Sequence, residues 1–172
     1  MSAQPDTELV RAAQAGDVGS FERLYARYAP VVHSILLGRL PAFDADDVTQ
    51  NVFITAYTKL ATLRDPAAFA GWIARIARNA AEDHRRRTDA VVELDIDYAT
   101  RATQAEAAEA AGALAAIRAL PEAYRDTLML RLVEGMSGAE IAQRTGLTPG
   151  SVRVNLHRGM QLLRDALGGG DA

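Results

Sequence analysis

The chain has 172 residues with 19 Lys and Arg against 22 Asp and Glu, a net charge of -3, and 49% hydrophobic residues, enough to bury cores without cross-links. Cysteine is absent, which excludes disulfides, thiolate catalysis and Cys-based zinc sites and fits a reducing compartment. No apolar run approaches the roughly 20 residues of a membrane span, and MSAQPDTELVRAA has neither part of a signal peptide, so no membrane insertion and a cytoplasmic location are expected.

Helical periodicity dominates and no segment alternates with period two, so the expected fold is all-α. A short helix from Thr7 to Ala15 ends at Gly16. Asp17 caps a longer one carrying Phe21, Leu24, Tyr25, Tyr28, Val32, Ile35 and Leu36, with Pro30 as a point of kinking. Asp44 is expected to cap a third helix reaching about Leu60, and Asp65 with Pro66 to start a fourth that runs to about Arg87. These four share a core.

The third helix carries Val48, Val52, Ala56 and Leu60 on one face and Asp47, Gln50, Asn51, Ile54 and Thr58 on the other. Ile54 therefore points away from the core, which fits either a protein-docking face or a solvated one. The fourth helix turns Phe69, Ile73, Ile76, Ala77 and Ala80 inward and Arg75, Arg78, Glu82 and Arg85 outward. Trp72 lies on its flank, as a core residue or a stacking platform. The segment before it, residues 61–71, is small, polar and turn-forming, a suitable wall for an unstacked base.

Charge changes sign along the chain. Arg75, Arg78, Arg85, Arg86 and Arg87 outnumber Glu82 and Asp83, whereas Asp89, Glu93, Asp95, Asp97, Glu106 and Glu109 oppose only Arg101. After that acidic connector an alanine-rich helix carries Leu114, Ile117 and Leu120, and Pro121 opens another that ends near Gly135.

Ser137 and Glu140 form a capping box, and Gly146 supplies the backbone freedom to leave the short helix. Thr148 then caps a helix with Pro149 at its first position. Val152, Leu156, Gly159 and Leu163 form its packing side, opposite Arg153, Val154, His157, Arg158 and Gln161. From Ile141 to Arg164 there is no acid, only four arginines. A helix-turn-helix with an acid-free second helix is the layout of a DNA reader, although a solvated helical hairpin carries the same pattern. His33, His84 and His157 are too scattered for a metal site, and there is no phosphate loop or catalytic triad, so neither metal nor cofactor is expected and no enzymatic activity.

These motifs together resemble the extracytoplasmic-function group of bacterial RNA polymerase sigma factors. DADDVTQNVF (residues 44–53) with Tyr57 looks like that group's region 2.2, FAGWIARIARN (69–79) like its F-x-x-W-L-x-x-I-A-x-N segment, and residues 119–159 like its regions 4.1 and 4.2. The resemblance implies two small helical domains joined by a flexible linker: 1–88 as region 2, 89–112 as linker and 113–172 as region 4. It implies that Asp47, Gln50, Asn51 and Ile54 dock on the β′ clamp helices of core RNA polymerase and that region 4 meets the β flap. Thr62, Leu63, Arg64 and Asp65, with Trp72, Arg75, Arg78 and Asn79, would take the promoter -10 element and a base flipped from it. Thr148, Ser151, Arg153, Val154, His157 and Arg158 would take the -35 element, and an anti-sigma protein would hold the two domains in check.

Three departures qualify the resemblance. Asn51 stands where the group usually has an acid, Val154 and Asn155 where it is often polar or basic, and Met160 where it often has Arg or Lys. The first implies a weakened or shifted salt bridge to the polymerase; the other two imply fewer phosphate contacts to the -35 element, so Val154→Ser or Met160→Arg is expected to strengthen them. Two other classes remain compatible with the residues: a stand-alone helix-turn-helix regulator, and a sigma-like decoy that binds partners without DNA.

Overall fold

The computed structural model describes residues 5–89 and 104–168. Eight α-helices account for nearly all of them: α1 (Asp6–Gln14), α2 (Val18–Leu37), α3 (Ala42–Lys59), α4 (Phe69–Asp89), α5 (Gln104–Ala119), α6 (Glu122–Leu132), α7 (Gly138–Thr145) and α8 (Pro149–Ala166). Two 3-10 turns, Leu60–Thr62 and Pro66–Ala68, join α3 to α4, and there is no strand among the described residues.

Local chemistry explains most boundaries. The Asp17 carboxylate accepts the Gly19 amide at 3.1 Å and the Ser20 hydroxyl at 2.5 Å, capping α2. The Ser20 bond holds its pKa below the usual carboxylate value. Pro30 lies inside α2 without ending it, between Tyr28 and Val31, both of which are core residues. Asp44 is not the cap of α3. That helix starts at Ala42 behind Pro41, and Asp44 sits in its first turn, where a carboxylate favours the positive end of the helix. Asp65 accepts the Ala67 amide at 3.0 Å and so caps the 3-10 turn that leads into α4. Pro121 stands one position before α6, where its missing N–H is harmless.

The connector expected at 89–112 is helical from Gln104 onward, because its alanines and glutamates are strong helix formers. Residues 90–103, with most of the expected linker and its acids, lie outside the described residues.

The two halves of the chain are not separate bodies. Buried residues of α1 to α4, from Leu9 to Ala81, form a single cluster with Leu130 of α6, Ile141 and Ala142 of α7, and Val152 of α8. A second cluster of Ile117, Leu120, Leu128, Met129 and Leu163 seals the C-terminal helices. Leu37 and Leu156 pack against both clusters, so removing the C-terminal half would expose apolar surface on the N-terminal one.

Polar links follow the same seam. Arg118 donates to the carbonyls of Leu37 at 3.1 Å and Leu40 at 2.7 Å, satisfying the end of α2. The Ser34 hydroxyl donates to Glu134 at 2.6 Å. At the far side Asp6 receives Arg27, Tyr28 and Arg144, and the Arg144 guanidinium lies 5.2 Å above the Tyr28 ring. Burial, reinforced by the Asp6 carboxylate, pushes the Tyr28 phenol well above its usual pKa.

Candidate nucleic-acid and partner-binding surfaces

The turn between α7 and α8 is specified residue by residue. Glu140 N–H donates to the Ser137 hydroxyl at 3.2 Å while Ser137 N–H donates to the Glu140 carboxylate at 2.8 Å, closing the capping box. Those Ser137 bonds lower the Glu140 pKa. Gly146 adopts φ +74°, and a Cβ there would come within 3.4 Å of the Gly71 nitrogen on α4. Glycine is therefore favoured by the left-handed turn, and a Cβ there would be in ordinary contact with α4.

Thr148 accepts the Ser151 amide at 3.1 Å and its hydroxyl lies 2.9 Å from that of Ser151, so these two residues expected at the -35 element form one exposed cap. Arg153, Val154, His157 and Arg158 are all exposed on the outer face of α8, and Val152, Gly159 and Leu163 are buried on the inner face. A Cβ on Gly159 would meet Tyr124 and Leu128 at 3.1 Å, which shows how closely α8 crosses α6. Met160 is half-buried against the second cluster and also lines a surface groove.

The loop before α4 divides into two kinds of residue. Thr62, Arg64 and Asp65 are exposed, whereas Leu63 is 8% exposed and belongs to the core. Its carbonyl and that of Leu60 both accept the Gln14 amide, at 2.8 and 3.0 Å. Leu63 thus pins the loop to α1, with its side chain turned into the core. Trp72 is half-buried with its ring 5.8 Å from that of Phe69, packed against the first cluster. Arg75 and Asn79 are exposed. Arg78 is not the free outward cation the periodicity suggested: its Nε donates to Asp126 at 2.9 Å and lies 3.1 Å from Glu122, both on α6.

On α3, Asp47, Gln50 and Asn51 are exposed, and Ile54 is 63% exposed. Beside it runs an aromatic surface: Tyr57 and Tyr25, the latter expected among the apolar positions of α2, are exposed, with Tyr25 packed on Phe53 at 4.5 Å and Phe21 on Tyr57 at 4.8 Å. The signal was present as Phe21 with Tyr25 and Phe53 with Tyr57, two i,i+4 pairs on facing helices. A second surface unmarked by the sequence lies on the C-terminal half, a groove of about 410 Å³ where Leu132 and Leu156 meet His157, Met160 and Arg164. Among the described residues no cluster of His, Cys, Asp and Glu could hold a metal, and no helix is long and apolar enough to cross a membrane.

Comparison with known proteins places these surfaces in one context. Residues 24–91 match the family model for Sigma-70 region 2, and residues 111–163 that for Sigma-70, region 4. The chain is 34% identical to the RNA polymerase sigma factor CarQ of Myxococcus xanthus over 162 residues, 89% of this chain and 92% of that one. It is 32% identical to the ECF RNA polymerase sigma-E factor of Escherichia coli K12, covering 92% of both chains. Among solved structures, CnrH in complex with the cytosolic domain of CnrY superposes with a TM-score of 0.64 at 26% identity, over 96% of this chain and 99% of that one. The sigma factor RpoE of Bartonella quintana, solved with the anti-sigma factor NepR, shares the fold with a TM-score of 0.59 at 18% identity, over 90% of this chain and all of that one.

Proposed function

The chain belongs to the sigma-70 family, as an extracytoplasmic-function sigma factor that recognises promoters, and from that premise we propose how its surfaces divide the work. The reading rests on one observation above all: the exposed face of α8 carries Arg153, His157 and Arg158 with no acid before Asp165 in its last turn, on a helix held in place by the Thr148 cap.

Thr148, Ser151, Arg153, Val154, His157 and Arg158 face the -35 element, the cap and helix N-terminus gripping phosphate and the arginines reaching base edges or backbone. Thr62, Arg64 and Asp65, with Trp72, Arg75 and Asn79, form the -10 surface, and Arg78 joins it once released from α6. Ile54, with Asp47, Gln50, Asn51 and the flanking Tyr57, docks on the β′ clamp helices. The apolar groove by Leu132 and Leu156 receives the β flap. The polymerase performs the chemistry; this protein binds and positions, without a cofactor, in the cytoplasm. Residues 1–88 and 113–172 are the two functional units, a division supported by the separate matches to regions 2 and 4.

The packed arrangement is then a resting form. A folded chain of this length has a radius of gyration of about 16 Å, whereas elements centred about 25 base pairs apart lie about 85 Å apart along the duplex. The shared core must separate before both elements are held at once. Because CnrH is solved with the cytosolic domain of CnrY, a protein partner that holds the two halves together is part of this proposal.

Permanganate footprinting tests the reading. With core polymerase and a cognate promoter, the protein should make -10 thymines reactive, and Asn79→Ala should reduce that reactivity while leaving polymerase binding intact. Unchanged thymine protection with bound polymerase would contradict it.

A further inference from the structure

A cleft of about 670 Å³ opens along the seam between the halves, walled by the end of α2, the outer face of α4, and α5 with α6. Six arginines line it: Arg39, Arg75, Arg78, Arg85, Arg118 and Arg125. The acids in reach are already engaged. Glu82 pairs with Arg85 and Arg86, Glu122 lies 3.1 Å from Arg78 and 3.7 Å from Arg39, and the buried Asp126 receives Arg39 and Arg78.

Positive charge is left over. Arg75 makes no ion pair or side-chain hydrogen bond among the described residues. Arg118 and Arg125 donate to the carbonyls of Leu37, Leu40 and Leu120, which supply hydrogen bonds but no counter-charge. Arg39, with a side chain only 10% exposed, keeps its Nη2 without a hydrogen-bond partner, and Arg125 its Nε. Burial lowers the pKa of both Arg118 and Arg125, and for Arg125 the neighbouring charge of Arg39 adds to the effect. An anion in the cleft would relieve that repulsion.

We propose that this cleft binds a small polyphosphate anion, two or more linked phosphoryl groups held between Arg75 of α4 and Arg125 of α6. Planar guanidinium forks on opposite walls suit adjacent phosphoryl groups. The volume is that of a small-molecule site. Of the lining residues only Gly38 and Ala81 lack a polar side chain, so the cleft offers little to an amphipathic helix. Because the walls come from both halves, the anion binds the packed form alone and shifts the protein toward it, away from the separated form that holds a promoter. This inference rests on the resting form proposed above.

Titration calorimetry on the full chain at physiological salt tests it, with inorganic tripolyphosphate and ATP as probes and sulfate at matched ionic strength as the control. Saturable one-to-one binding of tripolyphosphate is expected, lost to sulfate and weakened at least tenfold by Arg75→Gln and, from the opposite wall, by Arg125→Gln. ATP binding as tightly as tripolyphosphate would assign the site to nucleotides, and tripolyphosphate alone to the inorganic ion. Binding no tighter than sulfate, or affected by Arg75→Gln but not Arg125→Gln, would overturn the cleft. Energy transfer between labels on Ala26→Cys and Gln161→Cys separates the two ideas. Halves apart in the free protein would sink the resting form, whereas halves together without binding would sink the anion site alone.

Discussion

Arg78 of α4 donates to Asp126 of α6 at 2.9 Å, and the same carboxylate, only 4% exposed, receives Arg39 at 2.5 Å. One buried acid on the C-terminal half therefore holds two cations of the N-terminal half, one of them a residue assigned to promoter contact.

Asp126→Ala strips the buried Arg39 of its close carboxylate partner and leaves it only Glu122, 3.7 Å away. Removing one member of a buried ion pair costs about 3–5 kcal/mol. Urea denaturation is expected to show a loss of that order, and a loss below about 1 kcal/mol would mean that the seam is solvated in solution.

The seam can also be locked. A Cβ on Gly38 would lie 3.1 Å from the Met129 side chain, and the chain has no cysteine of its own. Gly38→Cys with Met129→Cys should form a disulfide on oxidation that ties α2 to α6. Oxidised protein is expected to lose promoter-dependent transcription and regain it with reductant. Equal transcription in both redox states, with the disulfide verified by mass, would show that the halves need not part.

Ile54 tests polymerase docking because it is largely exposed and its replacement leaves the core intact. Ile54→Asp should weaken binding to core polymerase roughly tenfold or more, as expected of an interface anchor, without moving the melting temperature. Unchanged affinity would remove α3 from the interface.

On α8, Arg153→Ala or Arg158→Ala should each lower the slope of log affinity against log salt for a -35 duplex by about 0.9 if that arginine neutralises a phosphate. A residue that reads a base instead loses sequence preference with a smaller change in slope. No change in either quantity for both variants would contradict the reading face.

The capping box predicts acid sensitivity. The Glu140 pKa is lowered in the folded protein, so its contribution is present above the unfolded value of about 4.3 and is lost as pH falls through the folded value. Glu140→Gln removes that titration, so it should lower stability at neutral pH, where the carboxylate's contribution is complete, and flatten the acid limb below the unfolded pKa. An unchanged limb would show that other carboxylates dominate it.

Much of this was legible because it is local. The caps at Asp17, Ser137 and Thr148 and the turn at Gly146 depend on neighbours a few residues away, and the faces of α3 and α8 follow from helical spacing. What escaped depends on contacts distant in sequence. Arg78 meets Asp126 48 positions away, Leu63 is drawn under Gln14, and Met160 packs against the second cluster. Helical spacing tells which way a side chain points but not whether another helix waits there. Tyr25 erred in the other direction, its apolar ring suggesting burial where α2 and α3 leave it exposed.

The most direct measurement is run-off transcription from fragmented genomic DNA of the host with purified core RNA polymerase, with and without this protein. The account predicts discrete new transcripts whose upstream regions share -10 and -35 sequences. Identical transcript patterns with and without the protein, under conditions where it binds the polymerase, would contradict it.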